Sequence, residues 1–329
     1  MIKVAINGFG RIGRKALRLI SEEEDMEVVA VNDLTDPLQL AYLYKYDSVH
    51  RKSPQKVSYG DDYLEIDSKK ISVFSESDPS KLPWKKLDVD VVLECTGVFT
   101  SKEKCQAHID AGAKKVIISA PAKDDAKTVV YNVNHEVLNS EDKIISAASC
   151  TTNCLAPVMN LLNKNYVVKK GFMSTVHAIT NDQETLDIPH KKGIESRRGR
   201  AASLNIVPTS TGAATQIGKV IPEINGLLDG TAFRVPVGDG SLIDATVLVE
   251  KTTTEEEVNE MFKSNQNETI KYTNAPIVSS DIIGETCGAL VDGLLTKVID
   301  GNLIKVVAWY DNETGYTAQM IRTMRELMK

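Results

Sequence analysis

The sequence predicts an α/β protein: a helix-wound parallel sheet in its first half, then an α+β half built on a mostly antiparallel sheet. Three observations carry that prediction. A glycine cluster lies between a strand-like and a helix-like run near the N-terminus. Short apolar runs then alternate with helical stretches up to about residue 150, which implies parallel pairing through right-handed crossovers. After Gly171 the pattern changes to longer, alternating strands. The 329 residues suffice for about two domains, and 42% hydrophobic with 26% charged residues is the composition of a folded globular chain.

In chain order, residues 3–6 read as a buried strand running into Asn7-Gly8-Phe9-Gly10-Arg11-Ile12-Gly13, with glycines at G-x-G-x-x-G spacing. Gly8 suits a tight turn, Gly10 close approach of backbone to a pyrophosphate, and Gly13 packing of the next helix on the strand. That helix presents its N-terminus to the phosphates. A second strand, 28–31, leads to Asp33, about 20 residues on, as a dinucleotide-binding (Rossmann-type) unit requires. A carboxylate there accepts from a ribose diol and repels a 2′-phosphate, so the cofactor expected is NAD. Residues 63–66 and 71–74 read as a short antiparallel pair. Strands follow at 89–93, 115–119 and 143–147, with a helix at 102–111. Thr96, Gly97 and Ser119 fall at carboxyl ends of strands, where cofactors bind. His50 and His108 read as solvated, and His135 and His190 have no chemical context.

At the junction of the two halves stands Ser149-Cys150-Thr151-Thr152-Asn153, ahead of a helical pattern (Leu155, Val158, Met159, Leu162). Ser149 is a helix-capping residue type, and Pro157 reads as part of the first turn. The sulfur is therefore expected at the positive end of a helix, which favours the thiolate. A buried structural cysteine is the alternative for this stretch alone. Strands are expected at 171–178, 232–237, 243–250 and 304–310, and the first places His177 at its end as a candidate base. A metal site from Cys150, Cys154 and His177 lacks the paired spacing of closed zinc sites, and none is expected. Thr211 and Gly212 open a helical segment at 213–220, a candidate anion site. Arg234 interrupts an apolar strand, and a basic run holds Lys191, Lys192, Arg197, Arg198 and Arg200. Tyr316, Met320, Met324 and Met328 mark an amphipathic C-terminal helix.

A net charge of -6 argues against general nucleic-acid binding, and no apolar run is long enough for a bilayer. The five cysteines show no paired spacing, which suits a reducing compartment. With no leader-like start, the expectation is a cytoplasmic protein.

Several stretches resemble the phosphorylating glyceraldehyde-3-phosphate dehydrogenases of bacterial type. They are NGFGRIGR from Asn7, SAASCTTNCLAP from Ser146, STVHAIT from Ser174, STGAA from Ser210, AFRVPVGDGS from Ala232 and WYDNETGYT from Trp309. The resemblance covers nearly the whole chain. It implies an NAD-binding domain over 1–149 and a catalytic domain over 150–315, and the amphipathic C-terminal helix, 316–329, is expected to pack back on the first. Cys150 is implied as nucleophile and His177 as base. Thr180 and Arg234 would hold the substrate phosphate; Ser149, Thr151, Arg197, Thr211 and Gly212 would hold inorganic phosphate. Gly8, Gly10, Arg11, Ile12, Gly13, Asp33, Ser77, Thr96, Gly97, Ser119 and Asn312 would contact NAD. A homotetramer is also implied. His50-Arg51 and Thr314 depart from many relatives without touching a reacting group. The rival enzyme is an aldose-phosphate dehydrogenase such as the erythrose-4-phosphate enzyme, which lacks the Thr211-Gly212 pair. A catalytically silent NAD-binding, RNA-binding or adhesin role is the alternative of another class.

Overall fold

The computed structural model describes residues 1–329, which form two compact units. The first comprises Met1–Val129, His135–Ala148 and Met320–Lys329, and the second Val130–Asn134 and Ser149–Gln319.

The first unit is a nine-stranded sheet with helices on both faces. Its elements are β1 (Ile2–Asn7), α1 (Arg11–Ile20), β2 (Met26–Asn32), α2 (Pro37–Lys45), β3 (Val57–Tyr59), β4 (Tyr63–Ile66) and β5 (Lys69–Phe74). Then come α3 (Trp84–Leu87), β6 (Val91–Glu94), α4 (Lys102–Asp110), β7 (Lys115–Ile118), β8 (Lys127–Thr128) and β9 (Ile144–Ser146). The strand order is β3-β4-β5-β2-β1-β6-β7-β9-β8. From β5 to β8 every pair is parallel, and β3 and β4 form the antiparallel edge. Strands covered on both faces must be apolar at successive positions. In β1, Val4 and Ile6 join the core with Leu17, Ile20 and Leu93, while Ala5 faces Trp84, Val92 and Val116 on the other side. His108 lies wholly buried within this unit rather than solvated, because α4 turns it inward beneath the Trp84 indole.

The second unit begins with α5 (Cys150–Tyr166), β10 (Val168–His177), β11 (Val207–Ser210), α6 (Ala213–Val220), β12 (Leu228–Arg234) and β13 (Ser241–Val249). It continues through α7 (Glu255–Ser264), β14 (Ile270–Thr273), β15 (Ala289–Asp292), β16 (Lys297–Ile299) and β17 (Leu303–Tyr310) to α8 (Thr314–Leu327). The sheet order is β11-β12-β10-β13-β17-β15-β14, with β16 on β17. Only β10–β12 and β14–β15 pair in parallel. Alternation is strict in β13, whose Ile243, Ala245, Val247 and Val249 are buried. Pro157 lies inside α5 rather than in its first turn. Its missing N–H would otherwise reach the Asn153 carbonyl.

The helix α8 leaves the second unit and ends in the first. There Met320, Ile321, Met324 and Leu327 complete the core that contains Val4, Ile6 and Leu17. Arg325 then pairs with Asp25 at 2.9 Å and with Glu23. No helix is long and apolar enough to cross a membrane.

Candidate active site

The chemistry of the second unit collects where one helix starts and two strands end. Ser149 caps α5, its hydroxyl oxygen accepting from the Thr152 amide at 3.1 Å, so Cys150 is the first helical residue. Strands β10 and β12 run in parallel with His177 directly opposite Arg234. Neighbours in a parallel pair project to the same face, so the register itself brings base and cation together.

Cys150 Sγ lies 3.4 Å from His177 Nε2. His177 Nδ1 lies 2.7 Å from the Ala178 carbonyl, which can only accept. The ring proton therefore sits on Nδ1, and Nε2 offers its lone pair to the thiol. That is the arrangement of a nucleophile and its base. Burial, followed by the Arg234 guanidinium, holds the His177 pKa down at about 3, against the pull of the Ala178 carbonyl. Burial also pushes the Cys150 thiol up, and the Arg234 charge and the Thr151 amide only partly oppose it. The expectation that the helix start alone would favour the thiolate is thus corrected. Burial works against the thiolate that the helix start favours.

Beneath the pair, Tyr310 Oη lies 2.9 Å from both Thr151 Oγ1 and Thr175 Oγ1. Thr175 donates to the Leu242 carbonyl at 2.9 Å. Because that acceptor cannot donate, the protons run from Thr151 to Tyr310 to Thr175 to Leu242. Burial raises the Tyr310 phenol, which keeps it protonated in this chain.

Arg234 is 9% exposed. It donates to Ala178 O at 3.2 Å and to Thr180 Oγ1 at 2.8 Å, while its Nε has no partner. Thr180 in turn donates to Asp182 at 2.5 Å. Burial works to raise Asp182, but the Thr180 hydroxyl and the Arg198 and Arg234 charges hold it below the usual carboxylate range. Arg198 pairs with Asp182 and donates from Nε to Thr209 Oγ1 at 3.3 Å. Arg197, in a left-handed turn with φ 56°, is exposed and donates to the Pro208 carbonyl at 3.2 Å. At the start of α6, Thr211 Oγ1 accepts from the Ala213 amide at 3.2 Å, beside the exposed Gly212.

The sequence carries no signal for Tyr310, Thr175 and Asp182 as site residues, and shows Arg198 only as part of the basic run. It carries none for Asp239 either, which together with Asp311 is wholly buried. Asp311 accepts from the amides of Gly284, Glu313 and Thr314 at 2.6–2.8 Å. Burial and the adjacent Asp311 carboxylate push Asp239 far above the usual range, so it retains its proton. No spacing signal marks any of these residues.

In the first unit, Gly8 has φ 91°, and a Cβ there would lie 2.7 Å from Thr96 N. At Gly13 it would lie 2.2 Å from Gly8 O, so α1 packs directly on the turn. At Gly10, the N-cap of α1, it would meet nothing within 4 Å, and a helix N-terminus suits an anion. Asp33 accepts from Phe9 N at 2.7 Å and Thr35 N at 3.0 Å. Ser77, Thr96 and Gly97 are exposed, and Ile12 and Ser119 are half-buried. Arg11 pairs with Asp47 at 2.7 Å. These groups fit a dinucleotide. In the second unit Asn312 Oδ1 accepts from Ser241 Oγ at 2.6 Å, which leaves its Nδ2 to donate elsewhere.

Residues 2–102 match the family described as glyceraldehyde 3-phosphate dehydrogenase, NAD binding domain. Residues 149–312 match its C-terminal domain. The glyceraldehyde-3-phosphate dehydrogenases of Clostridium pasteurianum and Clostridium acetobutylicum are each 53% identical over 332 residues, spanning 100% of this chain and 99% of theirs.

Proposed function

The chain belongs to the glyceraldehyde-3-phosphate dehydrogenase family, and on that premise we propose how its residues divide the reaction. It is an NAD-dependent oxidoreductase of glycolysis that oxidises glyceraldehyde 3-phosphate. The observation that carries the assignment of roles is the Cys150–His177 contact with its tautomer held by Ala178. Cys150 gives its proton to His177 and adds through sulfur to the aldehyde, forming a hemithioacetal. The Cys150 amide, at the start of α5, stabilises the developing oxyanion. Bound NAD supplies the hydride acceptor that converts the hemithioacetal to a thioester on Cys150. His177 takes up the hydroxyl proton released in that oxidation. Inorganic phosphate then attacks the thioester carbon, the carbon–sulfur bond breaks, and 1,3-bisphosphoglycerate leaves with Cys150 restored.

Two anion sites serve these steps. Arg234 and Thr180 take the substrate phosphate, since the bonds of Arg234 to Ala178 and Thr180 use Nη1 alone. Ser149, Thr151, Thr211 and Gly212 take inorganic phosphate. Arg197, exposed to a soluble anion, joins them, and Arg198 supports the sites through Asp182 and Thr209. Gly8, Gly10, Arg11, Ile12, Gly13, Asp33, Ser77, Thr96, Gly97 and Ser119 form the cofactor surface, and Asn312 takes the nicotinamide carboxamide. Residues 1–149 act as the NAD-binding domain, 150–315 as the catalytic domain and 316–329 as the returning helix. The protein works as a cytoplasmic homotetramer. Self-association is supported by Leu186, Ile188, Ile194, Leu204 and Ile206, each more than half exposed on one loop.

The test is NADH formation from glyceraldehyde 3-phosphate and NAD with and without inorganic phosphate. Steady turnover that requires phosphate supports the two-site scheme. Equal turnover without it means thioester hydrolysis and overturns the scheme.

A further inference from the structure

We propose that Glu94 is a positioning residue for the cofactor: a buried carboxylate that ties together the ends of neighbouring strands beneath the loops that hold NAD. The proposal rests on the cofactor surface assigned above. A wholly buried carboxylate in a sheet of Val, Ile and Ala is costly unless donors surround it, and an apolar residue would pack there more cheaply.

Four donors surround Glu94. Oε1 accepts from the Thr96 amide at 2.8 Å and from the Thr96 hydroxyl. Oε2 accepts from Asn7 Nδ2 at 2.6 Å and faces His108 Nε2 at 3.2 Å. The Trp84 indole fixes the last of these. Its N–H, which can only donate, meets His108 Nδ1 at 3.0 Å, so the histidine proton must lie on Nε2, toward Glu94. On the far side, Asn32 Nδ2 donates to Asn7 Oδ1 at 2.7 Å. Asn32 also clamps the Glu76 backbone, donating to its carbonyl and accepting from its amide at 2.9 Å. Direct bonds therefore run unbroken from Trp84 to Glu76.

The register puts this chain where the cofactor residues begin. Glu94, Asn7, Asn32 and Phe74 are neighbours across β6, β1, β2 and β5, at the carboxyl ends of all four strands. Asn7 is followed by Gly8, Asn32 by Asp33, Glu76 by Ser77, and Glu94, one residue further, by Thr96-Gly97. Gly8 packs so closely on Thr96 N that a shift of the turn Glu94 holds must move the glycine turn with it. The network thus sets the relative heights of four loops that contact one ligand, which is preorganisation of a binding surface.

Glu94→Gln is the informative change. Asn32 pins Asn7 and the indole pins the His108 tautomer, so the new amide nitrogen must face two donors whichever way it turns. NAD binding, read by fluorescence titration, is expected to weaken about tenfold, with KM for NAD rising more than kcat falls. Trp84→Phe removes the indole N–H together with one ring of a fully buried side chain, and lets the His108 proton move to Nδ1; a weakening of about threefold is expected. It decides the matter if Glu94→Gln does not fold. Asp33→Ala tests the underlying cofactor surface separately. Weakened NAD binding in Asp33→Ala together with binding within twofold of the parent in the folded network variants, whatever their melting temperatures, overturns the positioning role alone. Unchanged binding in Asp33→Ala overturns the cofactor surface and the proposal with it.

Discussion

Replacing Arg234 with leucine isolates what its charge does for the substrate phosphate. The structure suggests that the variant folds. Without the guanidinium, the Thr180 hydroxyl still has Asp182, the Ala178 carbonyl still has His177 Nδ1, and Asp182 still has Arg198 and Lys192. No buried acceptor loses its last donor, so stability changes little compared with orphaning a polar group. The loss falls on the ligand. A guanidinium bond to a phosphate oxygen is worth about 1.5–3 kcal/mol, and two such bonds leave about 3–4 kcal/mol after imperfect additivity. At 1.4 kcal/mol per tenfold, kcat/KM should fall roughly 10²- to 10³-fold. Unphosphorylated glyceraldehyde provides the control, because it has nothing for Arg234 to hold. Parent and variant should differ far less on it, the remaining difference being the effect of the Arg234 charge on Cys150 and His177. An equal loss with both aldehydes would refute the reasoning, since the effect of Arg234 on the Cys150–His177 pair would then account for the whole loss and leave nothing for the phosphate.

Three further outcomes follow from the same geometry. Asp239→Asn should stabilise the protein at neutral pH, because the folded Asp239 pKa is raised and folding must take up a proton. Such a group favours folding fully below about pH 4 and loses that contribution as pH rises toward its folded pKa, at up to about 1.4 kcal/mol per unit. Unfolding free energies should therefore favour Asp239→Asn by up to about 4 kcal/mol at pH 7 with the gap closing by pH 4; a gap independent of pH would contradict the buried proton. Tyr310→Phe leaves the Thr151 hydroxyl without its acceptor and should cost about 1–2 kcal/mol. Its alkylation profile should move to lower pH as Thr151 turns its proton to the Cys150 sulfur, and an unmoved profile would argue against the directed hydroxyl chain. Met324→Ala, at a fully buried position in the core of the first unit, should cost about 2–5 kcal/mol by thermal unfolding. A loss below 1 kcal/mol would mean that the end of α8 is not part of that core.

What the sequence by itself determined is local. The glycine spacing dictates the turn before α1, because positive φ at Gly8 and contact at Gly13 are steric demands of single residues. Alternating and continuous apolar runs give most strands, since which face is buried is written at period two. Ser149 before Cys150 marks a helix start because capping involves only three or four consecutive residues. Tertiary structure decided everything that depends on which distant segments meet. His177 serves Cys150 and not solvent because β10 pairs with β12 in a register that also delivers Arg234. Arg198 pairs with Asp182, 16 positions earlier, a contact that only the folded loop makes. His108 is polar by type yet fully buried, since Trp84, 24 positions earlier, and Glu94, 14 earlier, supply its hydrogen bonds. The direction of the Cys150 shift is likewise a property of burial, and burial belongs to the assembled core rather than to the residue.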